Sequence, residues 1–224
     1  MTHLVIGAGE VGTAVHAVLA SAVPAQIRDT APHSGHADVL HICIPYSSGF
    51  ADTVHEYAET HGASLVVVHS TVPVGTCDSQ GWVHSPVRGR HPHLEAGVRT
   101  FTKHFGGGRA SEASEAFRAA GVGVRTHPSA AETEAGKLWE LVQYGVQIRV
   151  QKAIYEWCAA RGIPADVVYA EFADTYNSGY AELGYPHFVR PVLDNIPGPI
   201  GGHCVVPMSR LLDHPLSAIV QEGV

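Results

Sequence analysis

Along the first 128 residues the period of the apolar positions changes repeatedly. "HLVI" is a short continuous apolar run, and behind it Val11, Ala14, Val15, Val18, Leu19 and Ala22 recur at helical spacing, which predicts strand, turn and helix. "AQIRD" reads as a second strand ending in Asp29, and "DVLHICIPY" as a third, nearly unbroken in apolar residues as strands covered on both faces are. "SGFADTVHEYAETHG" predicts a helix, and "SLVVVHSTV" and "GWVHSPV" predict strands. After the glycine-rich "KHFGGG" come helix "SEASEAFRAAG" and strand "VGVRTH". Strands separated by helical crossovers predict an α/β fold, a doubly wound parallel sheet with helices on both faces. From Ser129 the pattern changes. "SAAETEAGKLWELVQYGVQIRVQKAIYEWCAARG" contains no proline and carries two apolar stripes. One runs through Leu138, Leu141, Val142, Gly145 and Ile148, the other through Trp139, Val146, Val150, Ile154 and Trp157. A helix apolar on two sides must be covered on two sides, here by the sheet domain and by a second subunit. Pro164 opens a further helix, "PADVVYAEFADTYNSG", and the remainder is rich in Gly and Pro. The chain divides on this reading into a sheet domain, 1–128, and a smaller all-helical domain, 129–224.

The turn between the first strand and the first helix is Gly7-Ala-Gly9-Glu-Val-Gly12. In such a turn the first glycine bends the chain, the second lets the backbone approach a pyrophosphate, and the third permits close packing of helix on strand. The phosphate then sits at the positive helix end. Asp29, at the tip of the second strand, is placed to accept both ribose hydroxyls and to repel a 2′-phosphate, so NAD is expected over NADP; Arg28 beside it is the opposing signal. This makes 1–128 a Rossmann-type dinucleotide-binding domain. Its candidate cofactor contacts are Gly7, Gly9, Glu10, Val11, Gly12 and Asp29, with Pro45 after the third strand and Ser70 after the fourth. An S-adenosylmethionine-binding fold uses a comparable turn and acid, but the third glycine at the helix start favours a dinucleotide.

With 224 residues, 45% hydrophobic and 16% charged, the chain can bury a sizeable core as a soluble globular protein. A net charge of -7 argues against general nucleic-acid binding, which needs a basic stripe. No apolar run approaches the roughly 20 residues of a membrane span. "MTHLVIGAG" enters a strand at once, without room for a secretory leader, so a cytoplasmic protein is expected. Cys43, Cys77, Cys158 and Cys204 form no CxxC pair, which suggests neither a disulfide framework nor a zinc ribbon. The 16 histidines show no HExxH spacing and read mostly as solvated surface residues. A metal on His203 and Cys204 needs further ligands, for which only His91 and His93 of "RGRHPH" offer themselves, and no metal is expected.

Four separated stretches, "HSTVPVGT", "SPVRG", "EAGK" and "PGPIGGHC", resemble the UDP-glucose/GDP-mannose dehydrogenase family. More broadly they resemble the superfamily it shares with 6-phosphogluconate and beta-hydroxyacid dehydrogenases. Those enzymes oxidise a primary alcohol twice with NAD, a cysteine capturing the intermediate aldehyde as a thiohemiacetal that becomes a thioester and is hydrolysed. The resemblance implies Cys204 as nucleophile, Thr71 as a polar contact to water or substrate, and Lys137 as stabiliser of oxyanion charge. The chemistry of the residues agrees. A neighbouring cation favours the thiolate, with His203 and Lys137 as candidates, and Gly201 and Gly202 leave room for substrate at the sulfur. The plainer alternatives are a small buried apolar Cys204 and a surface Lys137 paired along its helix with Glu134 and Glu140.

The chain also departs from the family pattern. Leu141 stands where the family has an asparagine one turn beyond the lysine, and Val87 where it has the glutamate that assists thioester hydrolysis. The aspartate expected after the cysteine is missing from "VVPMSR", and Asp213 lies later. The chain ends about 20 residues past Cys204, without the domain that binds the nucleotide half of a UDP-sugar. A small polar substrate is therefore expected, its anionic group clamped by Arg88, Arg90, Arg190 and His203, with Arg99 nearby. The expected function is NAD-dependent oxidation of a small sugar-like or hydroxyacid alcohol or aldehyde by a homodimer. A hydroxyacid-type dehydrogenase or reductase using Lys137 without covalent catalysis, or a non-catalytic NAD-binding protein, is the alternative.

Overall fold

The computed structural model describes residues 1–29, 35–201 and 204–221. Strands β1 (His3–Ile6), β2 (Ala25–Arg28), β3 (Val39–Ile42), β4 (Leu65–Val68), β5 (Val83–His84), β6 (Lys103–Gly106) and β7 (Val124–His127) form one sheet. Their order is β2-β1-β3-β4-β5-β6-β7. Helices α1 (Glu10–Ala20), α2 (Phe50–His61), α3 (Leu94–Thr100) and α4 (Ala110–Ala119) connect the strands. The apolar runs of the sequence are the central strands, and every residue of β1, β3 and β4 is buried. Alternate residues divide between two cores, as the strand period of two requires: Val5, Val67 and Phe105 join one with Val15, Leu19 and Phe117. Leu4, Ile6, Leu40 and Ile42 join the other with Phe50. From β1 the chain first goes to one side and then crosses to the other, which puts a topological switch point at the carboxyl ends of β1 and β3, the place where open α/β sheets bind ligands.

Three features differ from the pattern read along the chain. Ala22, taken as the last apolar position of the first helix, lies beyond α1 and is exposed. The helix α3 went unread. The glycine-rich "KHFGGG" contains strand β6, which pairs antiparallel with β5 through Gly106 and His84, so the sheet is mostly, not wholly, parallel. Gly106 ends that strand because a helix rests on it. A Cβ there would lie 2.4 Å from the Ser129 carbonyl oxygen and 2.7 Å from Thr133 Oγ1.

That helix is α5 (Ala130–Ala159), thirty residues without interruption. Asp78 caps its start, accepting the N–H of Ala130 at 2.8 Å and of Ala131 at 3.0 Å, donors that no helical carbonyl can satisfy. The chain resolves into two compact units, Met1–Lys137 and Leu138–Val224, so the division falls inside α5. Its first two turns belong to the sheet unit through Asp78 and the side-chain ties described below. The second unit adds α6 (Phe172–Glu182), α7 (Val205–Ser209) and α8 (Pro215–Gln221), with a core of Leu141, Val142, Ile200, Val205, Val206 and Val220. Gly145 lies under this core, where a Cβ would come within 2.7 Å of a Val220 methyl and 3.0 Å of a Val205 methyl. Of the two stripes, the one through Leu138, Leu141, Val142 and Gly145 is buried, while Trp139, Val150 and Trp157 of the other are exposed. Among the described residues no helix is long and apolar enough to cross a membrane.

Candidate functional site

At the switch point each glycine of the turn has a separate reason. Gly7 has φ +97, and a Cβ there would strike the Cys43 carbonyl oxygen at 2.6 Å. Gly12 packs helix on strand so closely that its Cβ would sit 1.7 Å from the Gly7 carbonyl oxygen. Gly9 has neither constraint: its Cβ would meet nothing within 4 Å. The missing atom there makes room outward, not inward, which fits a bound group lying against the backbone. The α1 helix has no side-chain cap, so its first N–H groups are left for a partner outside. Asp29 comes to the same place, its Oδ1 3.4 Å from the N–H of Ala8. Val11 packs on the core, whereas Glu10 is exposed and pairs with His91. A cleft of about 480 Å³ beside the turn is lined by Gly9, Glu10, Thr13, Pro92, Leu94 and Glu95.

Farther along the crest, exposed Pro45 follows β3, and the Ser70 hydroxyl donates to the Ile44 carbonyl at 2.5 Å, joining the tips of β3 and β4. Burial drives His84 down to about 3, so this ring is neutral. Its Nε2 donates to the Ser70 carbonyl at 3.2 Å, which leaves Nδ1 to accept from the Thr133 hydroxyl at 2.8 Å. One residue on, fully buried Glu134 accepts the N–H groups of Gly75 at 2.6 Å and Cys77 at 2.8 Å. The "STVPVGT" loop with half-buried Thr71 and the start of α5 are thereby one assembly. Lys137 follows a turn after Thr133. It is half-buried, and its charge helps depress both His84 and Lys103. Glu134 spends both oxygens on backbone, so the helical ion pair of the plainer reading is not its role.

Several residues missed by sequence reading lie underneath. His3, His41, His61, His69 and His84 are buried, exceptions to the expectation that most histidines are solvated. Lys103 is buried as well, donating to the carbonyls of Ser85 at 3.0 Å and Pro86 at 3.2 Å, and desolvation lowers it to about 7. The signal was available: in "VLHICI", "VVVHS" and "WVHS" the histidine sits inside an apolar run.

Of the clamp residues, the Arg88 guanidinium lies 5.4 Å over the Phe101 ring, Arg90 is exposed, and Arg99 pairs with Glu95 at 2.9 Å. Val87 is in the core of the sheet unit, so no acidic group takes its place there. Within the helical unit, the Arg190 guanidinium stacks 3.7 Å from the Tyr176 ring centre, and the backbone N–H of Arg190 donates to the Asn177 side-chain oxygen at 2.8 Å. Leu141 is a core residue. Cys204 is half-buried at the start of α7, beside the core of that unit, while Gly202 and His203 lie outside the described residues. The other thiols are core fillers. Cys77 and Cys158 are buried, and burial pushes Cys43 up to about 12. Among the described residues no three His, Cys, Asp or Glu side chains are grouped to hold a metal ion.

No protein-family model and no curated protein matches the sequence. Solved structures do. The UDP-D-ManNAc dehydrogenase of Pyrococcus horikoshii superposes with a TM-score of 0.80 at 18% identity, over 99% of this chain and 67% of that one. The NDP-N-acetyl-D-galactosaminuronic acid dehydrogenase of Methanosarcina mazei gives 0.69 at 19% identity, over 99% and 65%. The 3-hydroxyisobutyrate dehydrogenase of Mycobacterium tuberculosis, solved with L-serine, gives 0.65 at 16%, over 99% and 91%. The chain spans about two thirds of the length of the nucleotide-sugar dehydrogenases it matches. Its fold, a Rossmann-type sheet followed by a smaller helical unit, is the fold of these sugar and hydroxyacid dehydrogenases.

Proposed function

We propose that the sheet unit binds NAD and that the protein is an NAD-dependent oxidoreductase of a small polar alcohol or aldehyde, sugar-like or a hydroxyacid. The observation that carries this reading is Gly9, a glycine that neither backbone angle nor internal packing requires, at the uncapped start of α1. The pyrophosphate lies against Gly9, Glu10 and Val11, and Asp29 takes the ribose hydroxyls, opposing a 2′-phosphate. Arg28 donates to Gln26 along its own strand at 3.4 Å, which supports that preference. Pro45 and Ser70 border the nicotinamide half. When bound, NAD supplies the hydride acceptor. Lys137 holds the reacting oxygen and its proton, and Thr71 positions substrate or water. In a second oxidation the Cys204 sulfur would add to the aldehyde carbon as a thiohemiacetal, for whose hydride a second NAD would be the acceptor while Lys137 takes the hydroxyl proton; water would cleave the resulting thioester, releasing the carboxylate and restoring the thiol. Arg88, Arg90, Arg190 and His203 are proposed to hold the anionic end of the substrate. A second copy of the chain is proposed to cover the exposed stripe of α5.

The burial of Val87 and Leu141 favours a second reading. With neither the hydrolytic glutamate nor the asparagine of the resembled family, one oxidation step using Lys137 alone suffices for a hydroxyacid substrate.

Titration with NADH tests the first claim. Gly9→Ala should weaken binding about tenfold or more, equivalent to at least about 1.4 kcal/mol. The loss in stability should stay under about 1 kcal/mol, since only a helix cap residue changes. Unchanged affinity would remove the dinucleotide from this turn. Cys204→Ala then separates the two routes: it should abolish aldehyde oxidation at unaltered NADH affinity, whereas full turnover assigns the chemistry to Lys137 without the thiol.

A further inference from the structure

Beneath the crest three imidazoles cross the sheet in a line. His3 on β1, His41 on β3 and His69 at the end of β4 are 7%, 0% and 3% exposed. His3 Nδ1 lies 2.9 Å from His41 Nε2, His41 Nδ1 lies 3.0 Å from His69 Nε2, and His69 Nδ1 lies 2.7 Å from the Ser85 carbonyl oxygen. Neighbouring ring centres are 5.3 Å apart in both steps and the ring planes are within 21° and 15° of parallel, so the rings lie edge to edge, as in-plane hydrogen bonds between their nitrogens require. The far end of this row sets its direction. A carbonyl oxygen only accepts, so His69 carries its hydrogen on Nδ1. A neutral imidazole has a single N–H, so His69 Nε2 must accept from His41 Nδ1, and by the same rule His41 Nε2 accepts from His3 Nδ1. The one ring nitrogen left with an open lone pair is His3 Nε2. His3 lines a cavity of about 200 Å³ with Thr2, Pro24, Gln26 and His36, at the amino ends of the strands, opposite the glycine turn.

We infer that His3, His41 and His69 form a single proton-binding site, loaded from this cavity and able to pass its charge along the row to His69 at the end of β4. A proton arriving on His3 Nε2 lets the Nδ1 hydrogen of His3 pass to His41 Nε2, and that of His41 Nδ1 pass to His69 Nε2. His69 then carries both hydrogens, with Nδ1 still donating to Ser85. His3 and His41 finish neutral, each with its hydrogen on Nε2 and its Nδ1 accepting. Every N–H bond broken is replaced by one formed, and all three hydrogen bonds survive. The path ends there, because the Ser85 carbonyl passes no proton onward and also accepts from Lys103. One proton fills the site, since a second cation one ring away would meet strong like-charge repulsion in a buried sheet.

The groups facing the row from the surrounding elements are the chain's amino terminus and Asp38 at His3, Lys103 of β6 at His41 and His69, and His84 of β5 at His69. The ring of Phe117 from α4 packs against His41 and His69. Among the charged neighbours only Asp38 favours uptake, and it stands at the entrance. Burial first, then Lys103 and the neighbouring imidazoles, keep His41 and His69 well below the ordinary histidine range, so the site is empty at neutral pH and fills in acid. The inference does not depend on what the glycine turn binds.

Nitrogen NMR of the full chain with labelled histidine tests it. At neutral pH all three rings should carry hydrogen on Nδ1, with nitrogen–nitrogen couplings across both intervening hydrogen bonds. On acidification the three rings should shift together with one midpoint, amounting to one proton. In His41→Phe, His69 should cease to follow His3. If that variant does not fold, the couplings and tautomers of the unaltered chain decide alone. A hydrogen on His3 Nε2 at neutral pH, a missing coupling, or three separate midpoints would overturn the proposal.

Discussion

Met1–Lys137 keeps polar groups inside, and Leu138–Val224 keeps apolar groups outside. In the sheet unit His41, His84, Glu134 and Lys103 are buried, each with its hydrogen bonds made, and the apolar strands are sealed by helices. In the helical unit Trp157, Phe172, Leu183 and Ile196 are 50%, 67%, 71% and 71% exposed around a small core. The contrast teaches where each unit finds its stability. The first closes on itself through long-range hydrogen bonds across a sheet. The second leaves large apolar side chains in solvent, which supports the proposed cover by a second copy of the chain.

The largest effect expected from this contrast compares one substitution at two sites. Gly12→Ala puts a methyl 1.7 Å from a backbone carbonyl oxygen that the sheet holds fixed. It should cost about 4 kcal/mol or more and abolish folding of the sheet unit. Gly145→Ala meets only the valine methyls of α7 and α8. It should cost no more than about 1–3 kcal/mol, part of it recovered by the better helix propensity of alanine. Thermal melts of the two variants compare them, and equal losses would show the helical unit to be as rigid as the sheet.

Next in size is the response to pH. The fold refuses protons that the unfolded chain accepts: His3, His41 and His69 are lowered, His84 stands at about 3, and Lys103 at about 7. Unfolding therefore binds protons, and stability must fall as pH falls. The Lys103 contribution is lost between about 10.5 and 7, and the histidine contributions are lost progressively below about 6.5, each titrating group costing about 1.4 kcal/mol per pH unit. Urea midpoints should rise from acid to about pH 9, above which the buried Cys43 and Cys77 thiols, kept protonated by the fold while the unfolded chain ionises them, reverse the slope. A Lys103→Met variant should flatten the alkaline limb, and a plateau from acid to neutral in the unaltered chain would contradict the burial of the histidines. The smallest change in stability is expected from Trp157→Ser with Phe172→Ser, roughly half a kcal/mol or less for exposed positions. Sedimentation equilibrium should nevertheless show a dimer in the parental chain and a monomer in the double variant. A monomeric parental chain would leave the apolar face without its proposed partner.

The glycine turn was legible because three glycines at fixed spacing between an apolar run and a helical stripe report local geometry. The core strands were legible for the same reason. Strand β6 was not, since "KHFGGG" carries the composition of a loop, and what makes it a strand is the pairing of Gly106 with His84 and the helix resting upon it. Nor were the roles of Glu134 and Lys103. A glutamate in a helix and a lysine near glycines read as surface residues until folding brings up the N–H groups of Gly75 and Cys77, or the carbonyls of Ser85 and Pro86. Such partners come from other strands and loops, and composition is silent about them. The opposite case is the second stripe of α5, whose apolar spacing was plain in sequence, while its exposure depends on which surfaces the chain itself covers.

Lys103 has a further consequence. An amine near neutrality at physiological pH is a strong nucleophile, yet this one is enclosed by the rings of Phe105 and Phe117. Acylating reagents will find it silent in the native protein and reactive once the sheet opens, so the molecule carries its own chemical clock for global unfolding.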